Sequence, residues 1–226
     1  MRRGAIALAA VALVSVVLAA CGGSAASVSP KASAEVTLAP GSVRSSSFQP
    51  AVTLTVPAGW VLATDSADYF QLRPADQDVV GVHLFHGVAA ASQDAACPTA
   101  AQPGIGTSSV ALLAWIRSLK GLTVGSPRIE TVGGLRGTSV DVSIAPGWTT
   151  ACPFANGIPS VPLFVGTASG LRWVIAGGER LRLYLLDLAD GSTLIADIDD
   201  FEGSQFASFL GVAEPIVRSL RVAAAS

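Results

Sequence analysis

The apolar residues of this chain recur mainly at every second position, and this period predicts β-strands in which one side is buried. Residues 51–56 alternate strictly, with Val52, Leu54 and Val56 on one side. Pro57-Ala58-Gly59-Trp60 then supplies a turn. β-branched and aromatic content marks 69–73 and 79–85 as further strands. The period then changes to that of a helix. Thr107 or Ser108 is placed to cap a helix running through Lys120, with Leu112, Trp115, Ile116 and Leu119 on one stripe and Gly121 in the stop position. Alternation returns in 128–132 and 136–144, joined by Gly133-Gly134, and in the short stretches 161–165 and 171–176. Residues 180–188 and 192–198 flank Asp190-Gly191, the clearest hairpin signal in the chain. Phe206, Phe209, Leu210, Ala213 and Val217 give 204–218 the apolar stripe of a closing helix, in which Pro215 predicts a kink or a break. Residues 220–222 read as a short last strand. The predicted fold class is α+β, an antiparallel β-sheet covered by two main helices, in a single domain over 51–226.

The first 50 residues follow different patterns. Met1-Arg2-Arg3 is a cationic start, and cations resist crossing a membrane. Residues 4–20 carry no charge. At about 17 residues the run is short for a span, which needs about 20, and it matches the apolar region of a secretory signal peptide. Leu18-Ala19-Ala20-Cys21-Gly22 resembles the lipobox of bacterial lipoproteins in every residue class. That resemblance implies cleavage before Cys21 and a diacylglyceryl group on its thiol, so that 1–20 is a lipoprotein signal peptide. Lipid chains contribute about 0.8 kcal/mol per buried methylene, and two or more of them anchor stably. Residues 21–50, rich in Ser, Gly and Pro, read as a disordered tether with a reach of roughly 25–30 Å. Within it, Val36-Thr37-Leu38 forms a short apolar patch that could dock on the domain.

Composition narrows the partners. Loss of residues 1–20 removes two of the 14 basic residues and none of the 16 acids, leaving a net charge of −4. No Lys/Arg cluster occurs, so the stripe needed to displace counterions from nucleic acid is missing. The expected partners are the membrane, through the lipid anchor, and a protein or small apolar ligand. The expected location is the extracytoplasmic face of a cell membrane or envelope.

Val56-Pro57-Ala58-Gly59-Trp60 resembles the opening strand and turn of PsbP-like domains, whose small bacterial lipoprotein relatives also follow a lipobox and a tether. The likeness extends over 51–222 in the order of elements. It implies an antiparallel sheet flanked by helices and carries no catalytic residues.

With Cys21 assigned to lipid, Cys97 and Cys152 remain, each before a proline, and an oxidising location predicts a disulfide between them. Zinc would need two more ligands and the paired spacing these cysteines lack. His83 and His86 lie an odd number of residues apart and point to opposite faces of a strand, so they read as ordinary surface or strand-end histidines. The acidic run Asp197, Asp199, Asp200, Glu202 departs from the calcium-loop pattern, because Phe201 takes the third ligand position and Gly203 comes one place late. Placement just before a helix, where unpaired N–H groups favour carboxylates, fits these acids better. Trp60, Trp115, Trp148 and Trp173 read as packing residues, with Trp148 the most exposed. No nucleophile elbow, zinc helix or phosphate loop is present, and no catalytic, cofactor or metal residue is expected. The expected function is a non-enzymatic binding or structural module of the envelope. Alternatives are an envelope hydrolase with a site outside the known motifs and, with less support, a solute-binding receptor, a class usually longer and two-lobed.

Overall fold

Alternating apolar residues build most of the molecule. The computed structural model describes residues 35–166 and 169–223. In chain order these form β1 (Val36–Thr37), β2 (Gly41–Arg44), β3 (Val52–Val56), β4 (Trp60–Asp65), β5 (Tyr69–Pro74), β6 (Val80–Phe85) and β7 (Val88–Ala90). Helix α1 (Ser109–Ser118) follows, then β8 (Leu122–Val124), β9 (Arg128–Val132), β10 (Leu135–Ile144), β11 (Ser160–Gly166) and β12 (Arg172–Ala176). The chain closes through β13 (Arg180–Asp187), β14 (Thr193–Asp200), α2 (Phe206–Arg218) and β15 (Arg221–Val222). The expected α+β class is observed.

A nine-stranded sheet runs in the order β1-β4-β5-β6-β14-β13-β10-β8, with β9 also paired to β10. All its pairings are antiparallel. Two three-stranded sheets accompany it, β12-β11-β7 and β15-β3-β2. The helices therefore share the work of covering the main sheet. On one face α2 and the β15-β3-β2 sheet pack over Val82, Leu84, Tyr184, Leu186, Ala196 and Ile198. On the other, α1 and the β12-β11-β7 sheet pack over Phe85, Leu181, Leu183, Leu185 and Ile195. Both sides of β6 and β14 are thus enclosed, and every residue of these two strands is buried.

The hairpin forms as predicted. β13 and β14 pair from Arg180↔Asp200 to Asp187↔Thr193, and the Asp190 carboxylate accepts from the Ser192 amide at 2.9 Å across the turn. Ser108 caps α1 by accepting from the Ala111 amide. The helix ends at Ser118, however, and Gly121 has an ordinary backbone rather than the left-handed one of a helix stop. α2 runs unbroken through Pro215, so the proline does not divide the helix. The proline lies in the last turn, where the N–H it lacks is the one that would reach the Gly211 carbonyl and few residues follow it.

The expected tether ends earlier than residue 50. β2 pairs with β3, β1 pairs with β4, and Phe48 lies fully buried in the core. Asp65 explains the fold-back, because its carboxylate accepts from the amides of Ser46, Ser47 and Phe48 at 2.6, 3.1 and 2.8 Å and from the Ser46 hydroxyl at 2.7 Å. Burial raises its pKa, but these hydrogen bonds outweigh burial and hold it below the ordinary 3.8. The Val36-Thr37-Leu38 patch does dock, with the Leu38 amide donating to the Trp60 carbonyl at 2.9 Å. The expected signal peptide, Cys21 and the rest of the expected tether up to residue 34 lie outside the described residues. Among the described residues, no helix is long and apolar enough to cross a membrane.

Candidate functional site

Two places on the α1 side of the main sheet combine chemistry with shape. The first is polar and sealed. Alternation along β14 puts Ile195, Asp197 and Asp199 on one face, while Ala196, Ile198 and Asp200 take the other. In register, Asp197 lies opposite His83 and Asp199 opposite Gly81. His83 reaches diagonally, its Nε2 2.9 Å from Asp199 Oδ1. Gly81 makes this possible, since a Cβ there would sit 2.5 Å from His83 Nε2. On its other side, His83 Nδ1 lies 2.8 Å from the Tyr69 hydroxyl, and the two rings stack with centroids 5.9 Å apart. Trp173 from β12 covers the group, 4.6 Å from the His83 ring and 4.8 Å from Phe85. Its Nε1–H donates to Asp197 Oδ2 at 3.1 Å.

Electrostatics at this cluster work against ionisation. Asp197 is fully buried and its Oδ1 has no hydrogen-bond partner among the described residues. Burial, then the Asp199 and Glu179 carboxylates, push its pKa well above the ordinary 3.8. Glu179, in the turn between β12 and β13, is pushed up to about 8 by burial and then by Asp199. It accepts from the Ala176 amide at 2.8 Å. Tyr69 is raised too, by burial and then by Asp199 and Asp197. The Tyr69 hydroxyl keeps its proton, and the imidazole is hydrogen-bonded through both nitrogens, Nδ1 to Tyr69 and Nε2 to Asp199, with donor and acceptor set by its tautomer. A histidine oriented by a carboxylate can serve as a general base, but His83 is 3% exposed. The tyrosine and tryptophan that surround it shut substrate out. The cluster holds protons without presenting them.

The second place is open. A cleft of about 230 Å³ lies between the end of α1, the segment after β7 and the 145–160 loop, with Asp94, Cys97, Leu119, Lys120, Trp148 and Pro162 among its lining. Trp148 is fixed by its Nε1–H, which donates to the Ser160 carbonyl at 3.1 Å. Its ring lies against Gly121, where a Cβ would sit 2.7 Å from the indole. Close packing, rather than a helix stop, is what a glycine at this position permits. Cys97 and Cys152 are bonded as predicted, with Cα atoms 5.6 Å apart, and the bridge ties the two loops of the cleft together. The hydroxyls nearby are engaged structurally: Ser118 donates to the Trp115 carbonyl, and Ser160 accepts from the Cys152 amide.

Several predicted residues sit elsewhere than expected. His83 is buried, and this corrects its reading as a surface or strand-end histidine; it was missed because a lone histidine in a strand carries no sign of a partner 116 residues away. β6 ends at Phe85, and His86 turns to Ser192 instead, with Nε2 and Oγ 3.3 Å apart. Of the acidic run, only Asp200 behaves as a carboxylate ahead of a helix, accepting from the amides of Glu202 and Gln205. Asp197 and Asp199 belong to β14, which continues two residues beyond the predicted strand end. Trp60 and Trp115 are buried as packing residues, whereas Trp148 and Trp173 are half-buried. Among the described residues, no group of three or more His, Cys, Asp and Glu is arranged to hold a metal.

No protein-family model matches the chain, and no curated protein matches it. Solved structures do. A protein from Bacteroides thetaiotaomicron is similar at 10% identity with a TM-score of 0.37, covering 76% of this chain. This chain spans 45% of that protein's length. Cyanobacterial PsbP from Synechocystis is similar at 10% identity and a TM-score of 0.42, covering 86% of this chain and 100% of its own. The yeast Ran-binding protein Mog1p, from Saccharomyces cerevisiae, is similar at 10% identity and a TM-score of 0.41, over 81% of this chain and 96% of its own.

Proposed function

We propose that this chain is a lipid-anchored module on the extracytoplasmic face of a bacterial cell envelope, and that it binds rather than catalyses. The anchor is Cys21, on the strength of the lipobox-like run before it. The domain over 51–222 is PsbP-like by its Val56-Pro57-Ala58-Gly59-Trp60 turn and its order of elements. The binding site is the cleft beside the Cys97–Cys152 bridge, and its ligand is small and mostly apolar, with an acidic end. One contrast supports binding over catalysis. The His83–Asp199 pair, with the chemistry to move protons, is buried, while the open cleft is walled by Trp148, Leu119 and Pro162 with its serine hydroxyls already engaged. Apolar walls with few polar groups are the ordinary composition of a small-molecule site. Lys120 supplies the charge that would orient an acidic ligand, while the Asp94 carboxylate is occupied locally by the Ala96 amide.

The probe 1-anilinonaphthalene-8-sulfonate, with an aromatic body and one anionic end, tests this on the lipid-free form lacking residues 1–21. Its fluorescence should rise saturably, with one site per chain. Lys120→Glu should weaken binding by about fivefold or more, the effect of a partly exposed charge contact of roughly 1 kcal/mol. Non-saturating fluorescence, or equal binding by the variant, would refute the cleft as the site.

A further inference from the structure

The buried carboxylates under Trp173 are not used by the binding reading, and no lysine or arginine balances them. The salt bridges of the described residues join Asp199 to His83 and none joins a lysine or arginine to Asp197, Asp199 or Glu179. Each element packed here contributes a titratable group or a cover. β5 gives Tyr69, β6 gives His83, β14 gives Asp197 and Asp199, the turn before β13 gives Glu179, and β12 gives Trp173. Asp200 acts on Glu179 from the end of β14. The nearby arginines are turned away, Arg180 over the Phe206 ring and Arg172 over the Phe154 ring.

β12 is the element that can yield. It is an edge strand of its three-stranded sheet, whereas β14 is held between β6 and β13. Beside the ring contacts of Trp173 with His83 and Phe85, the hydrogen bonds of β12 to the cluster are two, the Trp173 indole to Asp197 and the Ala176 amide to Glu179. A second or third buried negative charge here has no cation to meet it. An ionised carboxylate has about four acceptor positions, and Asp197 meets one donor. Water is the remaining source of donors, and Trp173 on the edge strand β12 stands over the carboxylate it would have to reach.

We propose that Asp197 and Glu179 form a proton-operated latch that closes β12 on the main sheet when these two carboxyls are protonated and releases it when they ionise. The direction of the pH effect follows from the raised carboxyls. Glu179 ionises in the unfolded chain near 4.5 and in the folded one at about 8. Its contribution is therefore full below 4.5 and is lost as the pH climbs through about 8. Asp197 acts in the same direction from 3.8 upward.

Amide hydrogen exchange on the full lipidated chain in detergent micelles, corrected for the intrinsic pH dependence of exchange, reads the latch directly. Between pH 6 and pH 9, protection of residues 172–179 should fall by about tenfold or more, each unit of pKa shift released being a factor of ten, while β13 stays protected. Asp197→Asn and Glu179→Gln, which mimic the protonated groups, should keep 172–179 protected at pH 9. Trp173→Phe, which removes the indole donor and retains an aromatic cover, should leave the segment open at both pH values. Wild-type protection unchanged between the two pH values would overturn the proposal. So would a loss of protection in both amide variants equal to that of the wild type.

Discussion

Single residues decide where the folded part of this chain begins. Asp65 gathers three amides and one hydroxyl from 46–48, a segment whose composition alone reads as tether. Ser45, Ser46 and Ser47 lack the apolar mass to fold by themselves, and only Phe48 has the side chain to reach the core. The signal for folding sits 17 to 19 residues away, beyond the reach of any local pattern. Asp65→Ala should cost about 2 kcal/mol, the magnitude of hydrogen bonds to a charged acceptor. Limited proteolysis should then cut first within 45–50, ahead of the loops. Equal resistance there would show that Phe48 burial holds the segment unaided. Gly81 and Gly121 teach a related lesson. Gly121 reads as a helix stop and Gly81 gives no signal in sequence, and the space each gives to a neighbouring ring becomes visible only in the packed structure.

At the scale of elements, legibility followed the number of faces a strand buries. β13 and β14 were readable as a hairpin because Leu181, Leu183 and Leu185 alternate and Asp190-Gly191 supplies the turn. The end of β14 was not. Ile198-Asp199-Asp200 looks like a strand giving way to an acidic cap, since alternating acids normally face water. Here both faces are covered, and the polar side meets Trp173 and His83 rather than solvent. The loop pair beside the cleft was legible through cysteine number alone. Replacing both Cys97 and Cys152 by Ser should leave the main sheet intact and lower stability by up to about 4 kcal/mol in the chain-entropy view. Cleavage by protease should move to 97–106 and 145–160, and cleavage inside β13 or β14 at the same rate would mean that the bridge holds the whole fold.

For the whole molecule, the two sides of the main sheet divide the roles. The α2 side is tied by Arg182, which donates to both Asp141 oxygens at 2.6 and 2.8 Å and to Glu214. The α1 side carries the cleft and the sealed carboxylates. That arrangement suits a module that is held in place and offers one face to a ligand, and the proposed holding point is the lipid at Cys21. The location proposed for the module rests on that residue. Its most direct test is mass spectrometry of the N-terminal peptide from protein extracted from bacterial membranes. The account predicts a chain that begins at Cys21 and carries a diacylglyceryl mass on its thiol. A chain that retains residues 1–20, or begins at Cys21 with a free thiol, would contradict it.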